Sequence, residues 1–202
     1  VPAGADGLNT TPMQSVGNER VFEVSLENVS VPADSVIGTV GEAWPVIERA
    51  IMRATAAQCI EMLGGAEAVL DMTVEYAKGR TQFGRAIGSF QAVHHRMADC
   101  YVDLESMRWT AWRAAWLLAE GRDTARELMV ARHWSAEGGA RIASATQHLH
   151  AGMGVDTDYP LYRYFLNSKA LELGTGSAAA QLAALGRSLA DEATGNDRQE
   201  KA

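Results

Sequence analysis

The 202 residues include 18 Lys and Arg against 25 Asp and Glu, which gives a net charge of -7 at pH 7. This surplus of carboxylates disfavours nucleic acid or an anionic membrane as the main partner. No apolar run reaches the roughly 18 residues that a membrane span needs, and the N-terminus has no signal-peptide pattern, so we expect a cytoplasmic protein.

The first 41 residues differ in pattern from the remainder of the chain. Apolar and polar residues alternate from Phe22 to Glu27, which predicts a short strand with one apolar face. The Val31-Pro32-Ala33-Asp34 sequence predicts the turn that ends it. Because one or two strands bury little surface by themselves, we expect this segment to pair with strands elsewhere, for which chain outside these 202 residues is one source.

From Gly41 onward, apolar residues recur at spacings of three and four, which predicts a series of amphipathic helices. Long helices that are joined by short turns predict an antiparallel bundle. The first predicted helix ends between Gly79 and Gly88, and the second spans residues 91–120. The third runs from 123 or 124 to about 147. A short helix follows from 158 to about 169, and the last spans 178–193, before a polar tail.

Two sets of side chains on these helices have alternative interpretations. Trp109, Trp112 and Trp116 lie at i, i+3 and i+7, and we favour core packing over ligand stacking for them. A helix that is apolar on two faces is buried between neighbouring helices or at a subunit interface. Cys59 and Cys100 lack metal-ligand spacing and are expected to be buried free thiols in a reducing compartment.

The third predicted helix has an apolar stripe that is rich in small residues, which predicts close contact with neighbouring helices. The stripe consists of Leu128, Ala131, Ser135, Gly138, Ile142 and Ala145.

The segment from Tyr76 to Gln91 interrupts the first two helices with glycines, cationic side chains and aromatic rings. An arginine such as Arg80 matches a phosphate bidentately, and Phe83 can pack on a heterocycle, so a nucleotide-like ligand is one interpretation. An arginine that stabilises a helix C-terminus is the more common case, and on these residues alone we favour it.

The sequence contains no Gly-x-Ser-x-Gly motif, Walker loop or Cys/His pairing. His94 and His95 are adjacent, so on a helix they point about 100 degrees apart and form a poor metal pair. His148 and His150 have no carboxylate or cysteine at ligand spacing. We therefore expect no metal site, and the residues alone predict a helical bundle with a candidate phosphate-binding turn.

In order and spacing, three segments resemble the acyl-CoA dehydrogenase family. Tyr76–Gln91 resembles the family's Arg-x-x-Phe-Gly...Phe-Gln signature, and Leu149–Gly154 followed by Asp158-Tyr159-Pro160 resembles its Gln-x-x-Gly-Gly-x-Gly segment. Leu26–Ala33 together with Gly41–Trp44 resembles the last strand of the family's middle β domain and the entry into its C-terminal bundle.

The resemblance implies a mainly α fold, an antiparallel four-helix bundle like the family's C-terminal domain, with a short N-terminal β remnant. It divides the chain into residues 1–41, the end of the middle β domain and a linker, residues 42–193, the helical bundle, and residues 194–202, a polar tail. The adjoining part of the family fold, a helical domain and the rest of the β domain, has no counterpart in the 202 residues.

The resemblance also implies a cofactor. Family members use FAD to form a double bond between the α and β carbons of an acyl-CoA, and the Arg-x-x-Phe turn of one subunit binds the FAD of another. His148 stands at the position of the family's FAD-binding Gln, and Ser177 at that of its Thr. By this resemblance the FAD contacts are Arg80, Gln82, Phe83, Phe90, Gln91, His148, Gly152 and Ser177.

The resemblance assigns no catalytic residue to the chain. The gapless register puts Thr175 at the position of the family's catalytic Glu, and a hydroxyl cannot act as a general base unless another group activates it. The alternative base position of some relatives falls on Ala54, and the Arg beside it falls on Thr55. Glu48 and Glu172 are the nearest carboxylates in sequence, and each is misplaced by about one helical turn.

Three hypotheses follow from these matches and departures. We favour a subunit without the base in a hetero-oligomeric acyl-CoA dehydrogenase, similar to the unequal subunits of actinobacterial steroid degradation. A homologous partner would carry the Glu and hold most of the FAD, and acyl-CoA would bind in the complex. The alternatives are a structural subunit that binds no flavin, and a piece of a homotetrameric enzyme in which Thr175 is compensated. The chain alone is expected to be inactive.

Overall fold

The structure is a computed structural model that describes residues 1–17, 19–174 and 176–199, with side chains up to residue 193. Thr175, which the resemblance places at the catalytic position, lies outside the described residues, as do residues 200–202 of the predicted tail. The helices are α1 (Trp44–Gly79), α2 (Gln91–Ala119), α3 (Ala125–His150), α4 (Leu161–Gly174) and α5 (Ala178–Gln199). The strands are β1 (Leu8–Met13), β2 (Val21–Leu26), β3 (Thr81–Gln82) and β4 (Arg85–Ala86).

The helices form an antiparallel bundle with four sides, as the sequence predicted. α1 and α3 run in the same direction, because their first turns line one groove and their last turns meet where Tyr76 stacks on His150. α2 runs against α1, because Arg108 pairs with Glu67 while the earlier Met97 lies beside Val74. The fourth side is shared by α4 and α5, whose contacts step back along α3: Ser168 to Gly139, Leu171 to Arg132, and Glu192 to Arg126.

The core lies where α1, α2 and α3 pack together, with α4 closing one side. The predicted small-residue stripe of α3 is buried along its whole length, which confirms that prediction. A Cβ at Gly138 would lie 3.1 Å from the Met107 sulfur, and one at Gly139 would lie 2.8 Å from the Met62 sulfur. α3 can therefore approach α1 and α2 closely only because these positions carry glycine.

Both cysteines are buried and free, as predicted. Burial raises the pKa of the Cys59 thiol, and burial with the nearby Asp103 carboxylate raises the pKa of Cys100 to about 11. The two thiols are therefore neutral core side chains at physiological pH.

The predicted strand has a partner within the first 41 residues. β2 pairs with β1 of the same chain in an antiparallel register from Leu8 opposite Leu26 to Met13 opposite Val21. The expectation that this segment pairs with strands elsewhere stays a prediction. β1 has no apolar alternation and contains Pro12, so its sequence carries a weak strand signal. Both strands remain exposed along their length.

The tryptophans of α2 also differ from expectation. Trp109, Trp112 and Trp116 are 72%, 56% and 51% exposed, so the prediction that they pack in the core was wrong. The core side of α2 is filled by the stripe that includes Cys100, Met107 and Ala114, which turns the tryptophan face outward. None of the helices in the described ranges combines the length and apolarity needed to cross a membrane.

Candidate functional site

The turn after α1 is a β-hairpin that the sequence analysis did not predict. β3 pairs with β4 so that Gln82 faces Arg85, which leaves Phe83 and Gly84 as a two-residue loop. Both loop residues have positive φ, 53° and 80°, as a type I′ hairpin turn requires. The hairpin thereby holds the Phe83 ring at its tip, in a conformation that is uncommon for a residue other than glycine.

The side chains of this hairpin point to the surface. Phe83 is 91% exposed, and its ring meets the Phe90 ring edge-on with the centroids 6.1 Å apart. The Arg85 guanidinium lies 4.0 Å from the Phe90 centroid, a cation–π contact. Arg80 and Gln82 are exposed, and within the described ranges no ion pair involves Arg80. The hairpin therefore presents a guanidinium and an aromatic face.

The backbone of the hairpin is fixed to the end of α1. The Arg80 N–H donates to the Tyr76 carbonyl at 2.8 Å, and the Ile87 N–H donates to the Arg80 carbonyl at 2.8 Å. A Cβ at Gly88 would lie 3.0 Å from the Ala77 carbonyl oxygen. The chain then enters α2 through Phe90, the N-cap residue, and Gln91, an exposed first residue. These contacts hold the exposed side chains in a defined position.

The second sequence motif lies at the end of α3. His148 is exposed on the last turn, and a 3₁₀ turn follows at Ala151–Val155. A Cβ at Gly154 would lie 2.6 Å from the Gln147 carbonyl oxygen, whereas a Cβ at Gly152 would meet open space. Gly154 is therefore required for packing, while the exposed Gly152 leaves its backbone accessible to a ligand.

His150 is a site residue that the sequence analysis considered only as a metal ligand. It is buried, its Nδ1 lies 2.9 Å from the Thr146 carbonyl oxygen, and its Nε2 lies 3.2 Å from the Tyr159 hydroxyl. Because a carbonyl only accepts, Nδ1 carries the proton and Nε2 accepts from Tyr159. The imidazole stacks on Tyr76 at 4.2 Å, one turn before Arg80. His150 thus joins the two motifs at one end of the bundle.

No three His, Cys, Asp or Glu side chains of the described residues group together as metal ligands. The Tyr159 hydroxyl donates to His150 Nε2, and His150 Nδ1 donates to the Thr146 carbonyl, so these polar atoms are already engaged. The chemistry of this end of the bundle is therefore that of an exposed guanidinium, an aromatic ring and open backbone.

A groove of about 570 Å³ lies toward the other end of α1. It is lined by Glu48, Ile51 and Thr55 of α1, by the first turns of α3, and by Gly174, the residue before position 175. Ser177 follows as the residue before α5, where its Oγ accepts from the Ala180 N–H at 3.3 Å. The structure therefore separates Ser177 from the other predicted FAD contacts.

The two carboxylates near this groove, Glu172 and Glu48, differ in their contacts and exposure. Glu172 pairs with Lys169 at 2.5 Å, and its backbone carbonyl accepts from Arg132 at 3.0 Å. Glu48 is exposed on the groove wall. Thr55 lies on the same wall one residue after Ala54, so the two segments on which the resemblance places the family's base positions both reach this groove.

Comparison with known proteins assigns this architecture to a family. Residues 41–190 match the model of the acyl-CoA dehydrogenase C-terminal domain. The acyl-CoA dehydrogenase FadE27 of Mycobacterium tuberculosis (strain ATCC 25618 / H37Rv) is 40% identical over 199 residues, which cover 95% of this chain and 52% of that protein. The chain spans about half the length of the curated relatives it matches.

Solved structures give the same result. The crystal structure of the ChsE4-ChsE5 complex from Mycobacterium tuberculosis matches with a TM-score of 0.87 at 40% identity, over 94% of this chain and 51% of the other. A Tcur3481-Tcur3483 steroid ACAD variant matches with a TM-score of 0.84 at 37% identity, over 96% and 52%. PigA with FAD and proline matches with a TM-score of 0.88 at 26% identity, over 94% and 50%.

Proposed function

The chain belongs to the acyl-CoA dehydrogenase family, and from this premise we propose that it is a subunit of a hetero-oligomeric, FAD-dependent acyl-CoA dehydrogenase. In this proposal its Arg80 hairpin binds a flavin that a homologous partner subunit holds, and the partner supplies the catalytic base. FAD, when bound, takes the hydride from the β carbon of the acyl-CoA.

One observation carries the proposal: the hairpin and the groove lie at opposite ends of α1. Thr55 on the groove wall and Gly79 before the hairpin are 24 residues apart on one helix, a distance of about 36 Å at roughly 1.5 Å per residue. A cofactor that reacts with a substrate in this groove is out of reach of this chain's own hairpin. The hairpin therefore faces the groove of another subunit.

The residues at the hairpin end fit the phosphate and adenine portions of a dinucleotide. Arg80 is exposed and has a planar fork of donors that matches phosphate oxygens. Phe83 offers its face to a heterocycle, and the open space at Gly152 lets a phosphate approach the backbone. Gln82, Gln91 and His148 add polar side chains at the same end. In this proposal all of them bind and orient; none moves a proton.

The proposal leaves this subunit's own groove without a base. The family's two base positions fall on Thr175 and Ala54, neither of which has a carboxylate. Glu172 is engaged by Lys169, and Glu48 lies on the groove wall six residues, nearly two helical turns, before Ala54, the position of the alternative base. Proton abstraction needs placement to within about an ångström, so a carboxylate at that separation is a poor substitute. The partner's carboxylate therefore removes the α proton.

The class of partner and substrate follows from the relatives. The crystal structure of the ChsE4-ChsE5 complex contains two different subunits, and the Tcur3481-Tcur3483 protein is described as a steroid ACAD. We extend both properties to this chain: a homologous subunit as the partner, and a bulky, steroid-type acyl-CoA as the substrate of the complex.

Turnover of the protein alone and with its partner tests this function. The intact protein is mixed with a steroid-type acyl-CoA and an electron acceptor, with and without a homologous subunit that carries the Glu. We expect desaturation and bound flavin only in the mixture. Turnover by the protein alone would favour an active homotetramer, and an active mixture whose flavin content does not depend on this chain would favour a structural subunit.

A further inference from the structure

Arg132 of α3 is buried in the bundle and forms no ion pair with the described residues. Its side chain has no exposed surface. A buried charge of this kind is costly unless partners satisfy it, and it is uncommon in protein interiors. Its presence in the middle of a small-residue helix therefore requires a physical explanation.

The guanidinium binds backbone carbonyls at the end of α4 and in the segment that joins α4 to α5. One terminal nitrogen, Nη2, donates to the Leu171 carbonyl, to the Glu172 carbonyl at 3.0 Å and to the Gly176 carbonyl at 3.4 Å. Leu171 and Glu172 belong to the last turn of α4, where carbonyls have no partner within the helix and the helix dipole is negative. Arg132 therefore caps α4 from inside the bundle and also binds Gly176, a residue of the connection to α5.

The acidic groups nearest to Arg132 offset the cost of burying its charge only in part, because burial outweighs their influence on its pKa. Burial raises the pKa of the Cys59 thiol, so that side chain stays neutral. The Glu172 carboxylate pairs with Lys169. Arg132 instead donates to the backbone carbonyl of Glu172. Burial accordingly lowers the pKa of Arg132, although an arginine remains charged in proteins. The backbone carbonyls are the groups that stabilise the guanidinium.

The carbonyls that Arg132 binds lie on both sides of positions 174 and 175. Gly174 lines the groove described above, and Gly176 turns the chain with a φ of +95° before α5 begins. We propose that Arg132 is a positioning residue that fixes the α4–α5 connection, and with it one wall of the groove, from the inside of the bundle. This proposal concerns the groove of this chain and is independent of the flavin contacts proposed above.

Hydrogen–deuterium exchange of the intact protein tests the proposal. The Arg132→Met variant keeps the apolar stem and removes every donor, whereas Arg132→Lys keeps the charge. Because hydrogen bonds from a charged donor are strong, in Arg132→Met we expect exchange in the peptide spanning residues 168–180 to rise about tenfold to a hundredfold. Peptides from α2 should keep wild-type exchange, and Arg132→Lys should restore part of the protection.

Arg126→Met on the same helix is the matched control, because Arg126 is exposed and pairs with Glu192 on the surface. It should leave exchange in peptide 168–180 unchanged. Unchanged exchange of that peptide in Arg132→Met would overturn the proposal, and so would an equal rise in all helices. A Lys variant no better protected than the Met variant would also overturn it, since volume alone would then explain the effect.

Discussion

Ala151 has a strained backbone beside the accessible Gly152. Its φ is 51° and its ψ is -130°, a combination that strongly favours glycine. The family motif that this segment resembles has Gly at this position. Strain of this kind costs about 1–3 kcal/mol and must be offset by the surrounding structure. The residues that follow Ala151 hold its backbone in this conformation, because Gly154 packs against the Gln147 carbonyl.

Replacing Ala151 with glycine should therefore stabilise the protein. We expect the free energy of unfolding in urea to rise by about 1 kcal/mol, because relief of the strain exceeds the added entropy of the unfolded chain. Ala57→Gly, an exposed position inside α1, is the control and should lower the free energy of unfolding by about 1 kcal/mol. A destabilising Ala151→Gly variant would contradict the assigned strain.

Cys100 makes stability depend on alkaline pH. Its folded-state pKa is raised to about 11 by burial and by the nearby Asp103 carboxylate, above the ordinary pKa of a thiol. The folded state therefore retains a proton that the unfolded chain loses first, so the stability is fully present below about pH 9 and is lost as pH rises through about 11. The loss amounts to about 2–3 kcal/mol at roughly 1.4 kcal/mol per pKa unit.

Unfolding in urea at several pH values between 8 and 11 measures this loss. Tyrosine and lysine titrate in the same range, so the comparison is with Cys100→Ala, which lacks the thiol. We expect the difference between wild type and variant to shrink steadily above pH 9. A difference that is constant up to pH 11 would show that the Cys100 thiol does not titrate differently in the two states.

At the scale of elements, the long helices were predictable and the short connections were not. The three- and four-residue apolar spacing predicted α1, α2 and α3 to within a few residues, because their buried stripes dominate the pattern. The β3–β4 hairpin was missed because type I′ turns favour Asn, Asp or Gly, and here the first loop residue is Phe83. The end of α4 was placed near Lys169 instead of Gly174, because the cap comes from Arg132 of α3 and has no local signal.

The 3₁₀ turn after α3 offers a matched pair of glycine substitutions. Gly154→Ala should lower the free energy of unfolding by about 1–3 kcal/mol, because its Cβ would lie 2.6 Å from the Gln147 carbonyl oxygen. Gly152→Ala should change the stability by less than about 0.5 kcal/mol, since its Cβ meets open space. In the complex, Gly152→Ala should nevertheless weaken flavin binding. Full flavin retention in Gly152→Ala would exclude a backbone contact there.

At the scale of the whole molecule, the exposed face of α2 indicates an interface. Trp109, Trp112 and Trp116 are the most notable departure from expectation, because periodicity can identify an apolar face but cannot say whether the same chain covers it. A whole tryptophan side chain buries about 150–250 Å², and at 51–72% exposure these three can add about 270–450 Å², a third to a half of the roughly 800 Å² per partner of a specific interface. Part of the candidate site is likewise unpredictable from one chain, because in the proposed function its ligand is shared between chains.

Trp112→Glu should therefore prevent assembly while leaving the fold of the chain intact. A carboxylate in the centre of an apolar interface loses its hydration without gaining a partner. We expect at least about a hundredfold weaker association with the partner subunit, about 2.7 kcal/mol, measured by analytical ultracentrifugation. Ile37→Glu, an exposed apolar position outside the bundle, is the control. Equal association of both variants would exclude this face as the interface.

The flavin content of the complex tests the proposed function most directly. The protein is purified with its partner as wild type, as Arg80→Ala, and as Lys78→Ala, which removes a nearby exposed cation that pairs only with Glu75 in the described contacts. The amount of flavin per heterodimer is then determined from the flavin absorbance. We predict that Arg80→Ala loses most of the flavin while the complex stays assembled and Lys78→Ala keeps it. Full flavin in Arg80→Ala would contradict the assignment of the hairpin to the partner's cofactor.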